Sequence, residues 1–156
     1  MSGEQSTVDL IERLRAFPQR LQELSRNRSE DDLCRASVDG GWGAVDNFCH
    51  LRDLEELFIE RVSRILNEEH PWMPVVDETL WPIERAYDQQ NPLVALEQFI
   101  EQRTRFVTLL ASLTPEQWQR RGHHAELGDQ SVLWYAQHAI EHDAMHEAVL
   151  RELLGE

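Results

Sequence analysis

Residues 130–154 read QSVLWYAQHAIEHDAMHEAVLRELL, and this stretch decides the fold. Its apolar side chains recur at three- and four-residue spacing, which marks one face of a helix. At about 100° per residue, Tyr135, Val149 and Leu153 fall within about 20° of His142, and His146 differs from it by about 40°. His138, His142 and His146 are each four residues apart, so they are neighbours on one face. The spacing predicts a helix from about Gln130 to Leu154, with its histidines in the middle of the stripe that points inward.

Three more stripes lie upstream. Leu10, Leu14, Phe17, Leu21 and Leu24 predict a helix from about Thr7 to Ser25. Ser6 and Asp9 resemble a capping box at its start, and Pro18 is expected to kink or divide it. Asn27 to Asp32 is polar and reads as a loop. The turn Gly40-Gly41-Trp42-Gly43 precedes a second helix, from about Ala44 to Leu66, with Leu51, Leu54, Phe58, Val62 and Ile65 on its apolar face. His70 to Asn91 contains Pro71, Pro74 and Pro82, so it cannot be one helix, and it is long for a bundle connection. A short helical piece around Thr79 to Tyr87 is expected there, with Trp72, Trp81 and Tyr87 packed on the body. Asn91 and Pro92 are a cap and a first helical residue. They open a third helix whose stripe is Leu96, Phe99, Ile100, Phe106, Val107, Leu110 and Leu113. Thr114-Pro115-Glu116-Gln117 repeats the cap-and-proline pattern and predicts a short helix through Trp118. Arg121 to Gly128 reads as a loop. Strand signals, repeats and low-complexity tracts are absent. The expected architecture is all-α: a four-helix bundle with a long crossover loop between the second and third helices.

The chain's 156 residues suit one domain over 1–156, long enough to bury roughly two-thirds of its unfolded surface. Asp and Glu number 29 against 15 Lys and Arg, a net charge of −14. Such a surface argues against nucleic acid and against anionic membranes as partners, because both demand clustered basic residues. No apolar run approaches the roughly 20 residues of a membrane span. Met1 to Asp9 is polar and lacks the apolar core of a signal peptide, which makes a cytoplasmic protein the expectation. Cys34 and Cys49 do not make a disulfide framework, and Cys49 falls inside a predicted helix as a small buried residue.

Clustered inward histidines demand a reason. Each neutral ring has a donor and an acceptor to satisfy, and two buried imidazolium ions repel each other. A divalent cation removes both difficulties, since neutral imidazole is its common ligand. His142 and His146 form an H-x-x-x-H pair able to place two nitrogens on one ion. A third ligand has to come from another helix, and His50 is the one histidine in the body of another predicted helix. On residues alone a second reading stays open, in which the rings are a hydrogen-bonded core cluster. His138 shares the face one turn farther on. His70, His123 and His124 fall in predicted loops and read as solvated.

Gly41-Trp42-Gly43-Ala44-Val45-Asp46-Asn47-Phe48-Cys49-His50-Leu51 resembles the first signature of the DinB-like superfamily, a Trp ahead of a helix that carries His-Leu. His138-Ala139-Ile140-Glu141-His142-Asp143-Ala144-Met145-His146 resembles the second, an H-x-x-x-H pair with an acid after its first histidine. The run Leu113 to Trp118, followed by a glycine before the last helix, fits as well. The resemblance spans the first helix to Leu154. It implies a DinB-like four-helix bundle with a metal held by His50, His142 and His146, zinc or nickel as the ion, and a homodimer as a common assembly. It also implies activity on a small-molecule substrate, as a metal-dependent hydrolase or as a transferase that uses a low-molecular-weight thiol. The non-enzymatic alternative is a stress-related metal-binding or interaction protein with a structural or sensing site. His138 is an addition to the family pattern.

Three histidines leave a coordination position open, which suits hydrolysis or thiol transfer. Imidazole favours zinc or nickel over calcium or magnesium. Asp46 and Asp53 flank His50 by about a turn and read as exposed helix acids or as supports for the site. Asp143 and Glu141 point about 100° from His142 and read as solvated. Trp42 reads as a staple at the helix start or a pocket wall, and Arg61 as a surface ion-pair partner or a contact for an anionic substrate. No nucleophile elbow or phosphate loop is present.

Overall fold

The side-chain oxygen of Ser6 accepts a hydrogen bond from the Asp9 amide at 3.1 Å and opens α1, Thr7–Ser25. This computed structural model describes residues 6–156; Met1 to Gln5, the start of the segment read above as lacking a leader's apolar core, lie outside the described residues. Pro18 does not divide α1, which runs unbroken. A proline has no N–H, so the carbonyl four residues back loses its helical donor. That carbonyl belongs to Leu14, and Arg103 donates to it from Nη1 at 3.0 Å. A replacement donor therefore stands where the proline removed one.

The segment read as a loop over Asn27 to Asp32 gains a short helix, α2 (Glu30–Cys34), opened by a capping box between Ser29 and Asp32. α3 (Ala44–Asn67) follows Gly43, whose amide donates to the Asp46 carboxylate at 2.9 Å. A Cβ on Gly43 would meet the Arg35 carbonyl oxygen at 2.5 Å, so only glycine lets the incoming chain pass this close. The crossover then runs through a two-residue strand β1 (Trp72–Met73), a 3₁₀ turn at Glu78–Leu80, α4 (Trp81–Glu84) and a second 3₁₀ turn at Tyr87–Gln89. Trp81 and Tyr87 are buried and hold it to the body, whereas Trp72 faces solvent. Asn91 accepts from the Leu93 and Val94 amides to cap α5 (Pro92–Ala111), and Thr114 caps α6 (Pro115–Trp118) as its sequence predicts.

The expectation of no strands is wrong. β2 (Arg121–His124) and β3 (Gly128–Ser131) form an antiparallel hairpin, and β1 pairs in parallel with β2, in the order β1-β2-β3. These strands are two to four residues long and mostly polar, so they carry none of the apolar alternation by which strands are read. Gly128 supplies the left-handed turn, with φ at +79°. Ser131 then caps α7 (Val132–Leu153) by accepting from the Trp134 amide.

α1, α3, α5 and α7 form the bundle, with α3 and α1 each packed against α5 and α7. Side-chain pairs give their directions. His50 meets His146 while Phe58 meets Tyr135, so α3 and α7 are antiparallel. Arg103 reaches Leu14 while Phe99 meets Phe17, so α1 and α5 are antiparallel too. Arg52 bonds Gln98 and Arg103 bonds Glu55, so α3 and α5 run the same way. The order is up-down-down-up, and the long crossover is what two successive helices of one direction require. No helix among the described residues is long and apolar enough to cross a membrane.

Candidate functional site

The antiparallel packing of α3 on α7 brings the start of one helix to the end of the other. His50, on the second turn of α3, faces His146, near the end of α7, with ring centroids 5.4 Å apart. His142 is one turn away along α7, 6.2 Å from His146 between centroids. All three line a cavity of about 490 Å³ with Trp42, Glu78, Thr79, Pro82, Ile83 and Met145. The Trp42 ring lies 5.1 Å from the His50 ring on one side, and Trp81 lies 6.1 Å away on another.

Asn47 sets the His146 tautomer. Its side-chain amide donates to the Gly43 carbonyl at 2.9 Å, so the amide oxygen is the end that faces His146. That oxygen lies 2.8 Å from His146 Nδ1 and can only accept, so the ring proton sits on Nδ1 and Nε2 carries the lone pair. Nε2 is buried and has no partner, and the same is true of His50 Nδ1 and His142 Nδ1. Buried polar atoms are normally satisfied, so three orphans on three neighbouring rings call for a missing partner. Burial, with His50 and His142 adding to it, pushes His146 down to about 3. Burial also lowers His142, helped by His138, and lowers His138. At neutral pH these three rings are neutral, the form that ligates a cation.

The rings share a cavity, but their nitrogens do not gather within 4.8 Å of one another. His142 Nε2 is 3.1 Å from His138 Nε2, which turns that ring toward its own helix. One group of three His, Cys, Asp or Glu donors among the described residues does meet that limit, and it lies on the sheet: His70, His123 and Asp129. Both rings contact the same carboxylate oxygen, at 2.8 and 3.0 Å. Their solvent-facing character matches the expectation, but His124 does not. It is buried on β2, and its Nδ1 accepts from the Glu126 and Leu127 amides.

A profile of the DinB superfamily matches residues 13–150. The chain belongs to the DinB superfamily. It is 24% identical over 140 residues to a candidate metal-dependent hydrolase of Oceanobacillus iheyensis, covering 85% of this chain and 80% of that one. It is 26% identical over 140 residues to YfiT of Bacillus subtilis, also named as a candidate metal-dependent hydrolase, covering 85% and 79%. The solved structure of YfiT, described as an unusual four-helix bundle topology, matches with a TM-score of 0.80 over 99% of this chain and 90% of that one, at 26% identity.

Around this superfamily scaffold several sequence readings are corrected. The inward face of α7 is Val132, Tyr135, Ala136, Ala139, Asp143, His146 and Leu150, whereas Val149 is 43% exposed and His142 only half-buried. Tyr135 keeps its place on the stripe drawn through His142, but toward the end of the helix the deep side is rotated onto Asp143, His146 and Leu150. Asp143 is therefore buried, not solvated, and takes both terminal nitrogens of Arg103 at 2.8 Å each. Asp53 is likewise buried, bonded by the Tyr87 hydroxyl at 2.6 Å and paired with Arg52 and Arg85. Arg61 makes no ion pair among the described residues and donates instead to the Pro74 carbonyl. Two residues of the pocket were not legible at all. Asn47 lies three residues before His50, a helical spacing that could have marked it as a partner. Glu78 reaches the pocket from the crossover, with Oε1 3.6 Å from His50 Nε2, and no local pattern announces it.

Proposed function

We propose that this chain is a metal-dependent hydrolase acting on a small molecule, with a zinc or nickel ion held by His50, His142 and His146. The observation that carries this reading is the trio of buried, unpartnered nitrogens, one on each of these residues. The relatives named as candidate metal-dependent hydrolases support it. Imidazole ligands suit zinc and nickel, and a site with three protein ligands leaves a position open. When bound, such an ion supplies Lewis-acid polarisation and acidifies water.

The chain's own residues do the remaining work. Asn47 holds the proton of His146 on Nδ1 and so keeps Nε2 pointed at the site, the outer-shell hydrogen bond that metal-binding histidines usually have. His50, His142 and His146 would hold the ion, His142 with its Nδ1 free for it while Nε2 contacts His138. Trp42 and Trp81 cover the His50 ring and limit water. Glu78 is half-buried at the cavity edge, and its contact with His50 lowers it, so it is an anion ready to take a proton from water or substrate.

Elemental analysis of untagged protein tests this reading. It predicts close to one zinc or nickel per chain, lost in both His50→Ala and His146→Ala and kept in His123→Ala. Absence of metal before and after incubation with either ion rejects it, as does metal that disappears with His123→Ala alone. Loaded protein is then screened against ester, amide and phosphoester substrates, with Glu78→Gln predicted to keep its metal and lose about a hundredfold in rate.

A further inference from the structure

Behind the histidine pocket lies a second cavity of about 210 Å³ that shares Glu78 and His142 with the first. Its walls include Phe58 and Trp134, and its polar lining comes from Arg61, His124, Tyr135 and His138 together with the carboxylates of Glu78 and Glu126. Two of these groups, Tyr135 and Arg61, are neighbours, and neither meets an anion. Tyr135 is 1% exposed, and its hydroxyl is buried without a hydrogen bond. A buried hydroxyl left alone costs free energy that an arriving acceptor would recover. Arg61 is an arginine in a chain with 29 acids and 15 bases, yet it forms no ion pair among the described residues. One of its terminal nitrogens donates to the Pro74 carbonyl at 3.0 Å, which anchors it to the crossover, and its guanidinium neighbours the Tyr135 hydroxyl, working against the burial that raises that group.

His124 adds a third donor. Its Nδ1 accepts two backbone amides, so the ring proton is on Nε2. Burial lowers this ring, with Arg61 adding to the effect, and keeps it a neutral donor. We propose that this cavity seats an anionic oxygen group of the substrate, a carboxylate or a phosphate, through Arg61 and the Tyr135 hydroxyl, while the bond to be cut lies forward in the histidine pocket. A guanidinium fork and a phenol suit two oxygens of one such group. Glu78 and Glu126 line the same cavity and repel an anion, so the seat is confined to the side of Arg61 and Tyr135. The overall charge of −14 opposes casual anion binding, which makes saturable binding diagnostic.

The role in substrate choice rests on the hydrolase reading; the seat itself does not, and the test separates them. Metal-stripped, full-length protein, labelled with ¹⁵N, is titrated with inorganic phosphate and, separately, with acetate at constant ionic strength, following the Arg61 Nε–H resonance. The expected result is a saturable shift with at least one anion. Phosphate alone assigns a phosphoryl-bearing substrate and acetate alone a carboxylate. Arg61→Met weakens binding by about tenfold or more, Tyr135→Phe by about threefold, and Arg61→Lys retains part of it. His50→Ala, tested in the same metal-stripped state, leaves anion binding unchanged, so the seat does not depend on the proposed metal site. No saturable shift with either anion, or equal affinity in Arg61→Met, overturns the seat even where the metal is found.

Discussion

α3 and α7 carry two polar clusters close together, and the clusters obey opposite rules. At the first, every N–H of Arg103 is used. Nε and Nη2 bond Glu55, Nη1 and Nη2 bond Asp143, and Nη1 also bonds the Leu14 carbonyl left free by Pro18. Arg103 and Glu55 are each 1% exposed. At the second, one turn along α7, three buried nitrogens have no partner at all. A buried charge is tolerated only when its bonds are complete, so the Arg103 cluster is a finished structural element. The histidine pocket is unfinished in the same environment. The contrast fits the first to holding the bundle together and the second to the metal proposed above.

The contrast breaks first at Arg103. Arg103→Met leaves Glu55 and Asp143 buried without their counter-charge, and is predicted to cost about 3–5 kcal/mol in denaturant unfolding. His146→Ala in metal-free protein is predicted to cost much less, because it removes an unsatisfied group along with its packing. Equal losses would erase the distinction. Asn47→Ala sharpens it from the other side: freeing the His146 ring should weaken zinc affinity by about 10- to 100-fold, measured by calorimetry, with little change in the unfolding midpoint.

A third polar cluster extends the comparison to pH. Burial works to raise Asp53, but bonds from Arg52 and Tyr87 and the charge of Arg85 win, and hold it below its ordinary value of 3.8. Its stabilisation is present above that value and is lost as pH falls through the lower, folded one. Unfolding followed from pH 6 to pH 2 should therefore show a loss of stability concentrated below about pH 4, shallower in Asp53→Asn. An unchanged slope in that variant would show that Asp53 contributes nothing to acid sensitivity. The smallest effect is expected at Pro18→Ala. The restored amide competes with Arg103 for the Leu14 carbonyl, and the net change should stay within about 1 kcal/mol.

The bundle was legible because its signals are local. Stripes on four helices and the caps at Ser6, Asn91 and Thr114 need no knowledge of what packs against them. The polar interior was not legible for the opposite reason. Asp143 looks solvated until Arg103, 40 residues earlier, is placed beside it. Asn47 looks like any helix polar residue until His146, 99 residues away, meets its oxygen. The three strands escaped because they are two to four residues long and mostly polar, and because β1 finds its partner β2 far along the chain, Trp72 against His123. The H-x-x-x-H spacing did point to the pocket, but it also rotated the end of α7 in the reading, since Val149 and Leu153 suggested a deep stripe where Asp143, His146 and Leu150 form it.

The most direct test is a long-range ¹H–¹⁵N spectrum of the histidine rings, recorded on metal-stripped protein before and after one equivalent of zinc. The account predicts that His146 begins as the Nδ1–H tautomer, and that the nitrogens of His50, His142 and His146 shift on addition while His146 keeps its Nδ1 proton. His70 and His123 should stay where they were. Shifts confined to His70 and His123, or no shift in any ring, would contradict the claim that the unfinished pocket is the metal site.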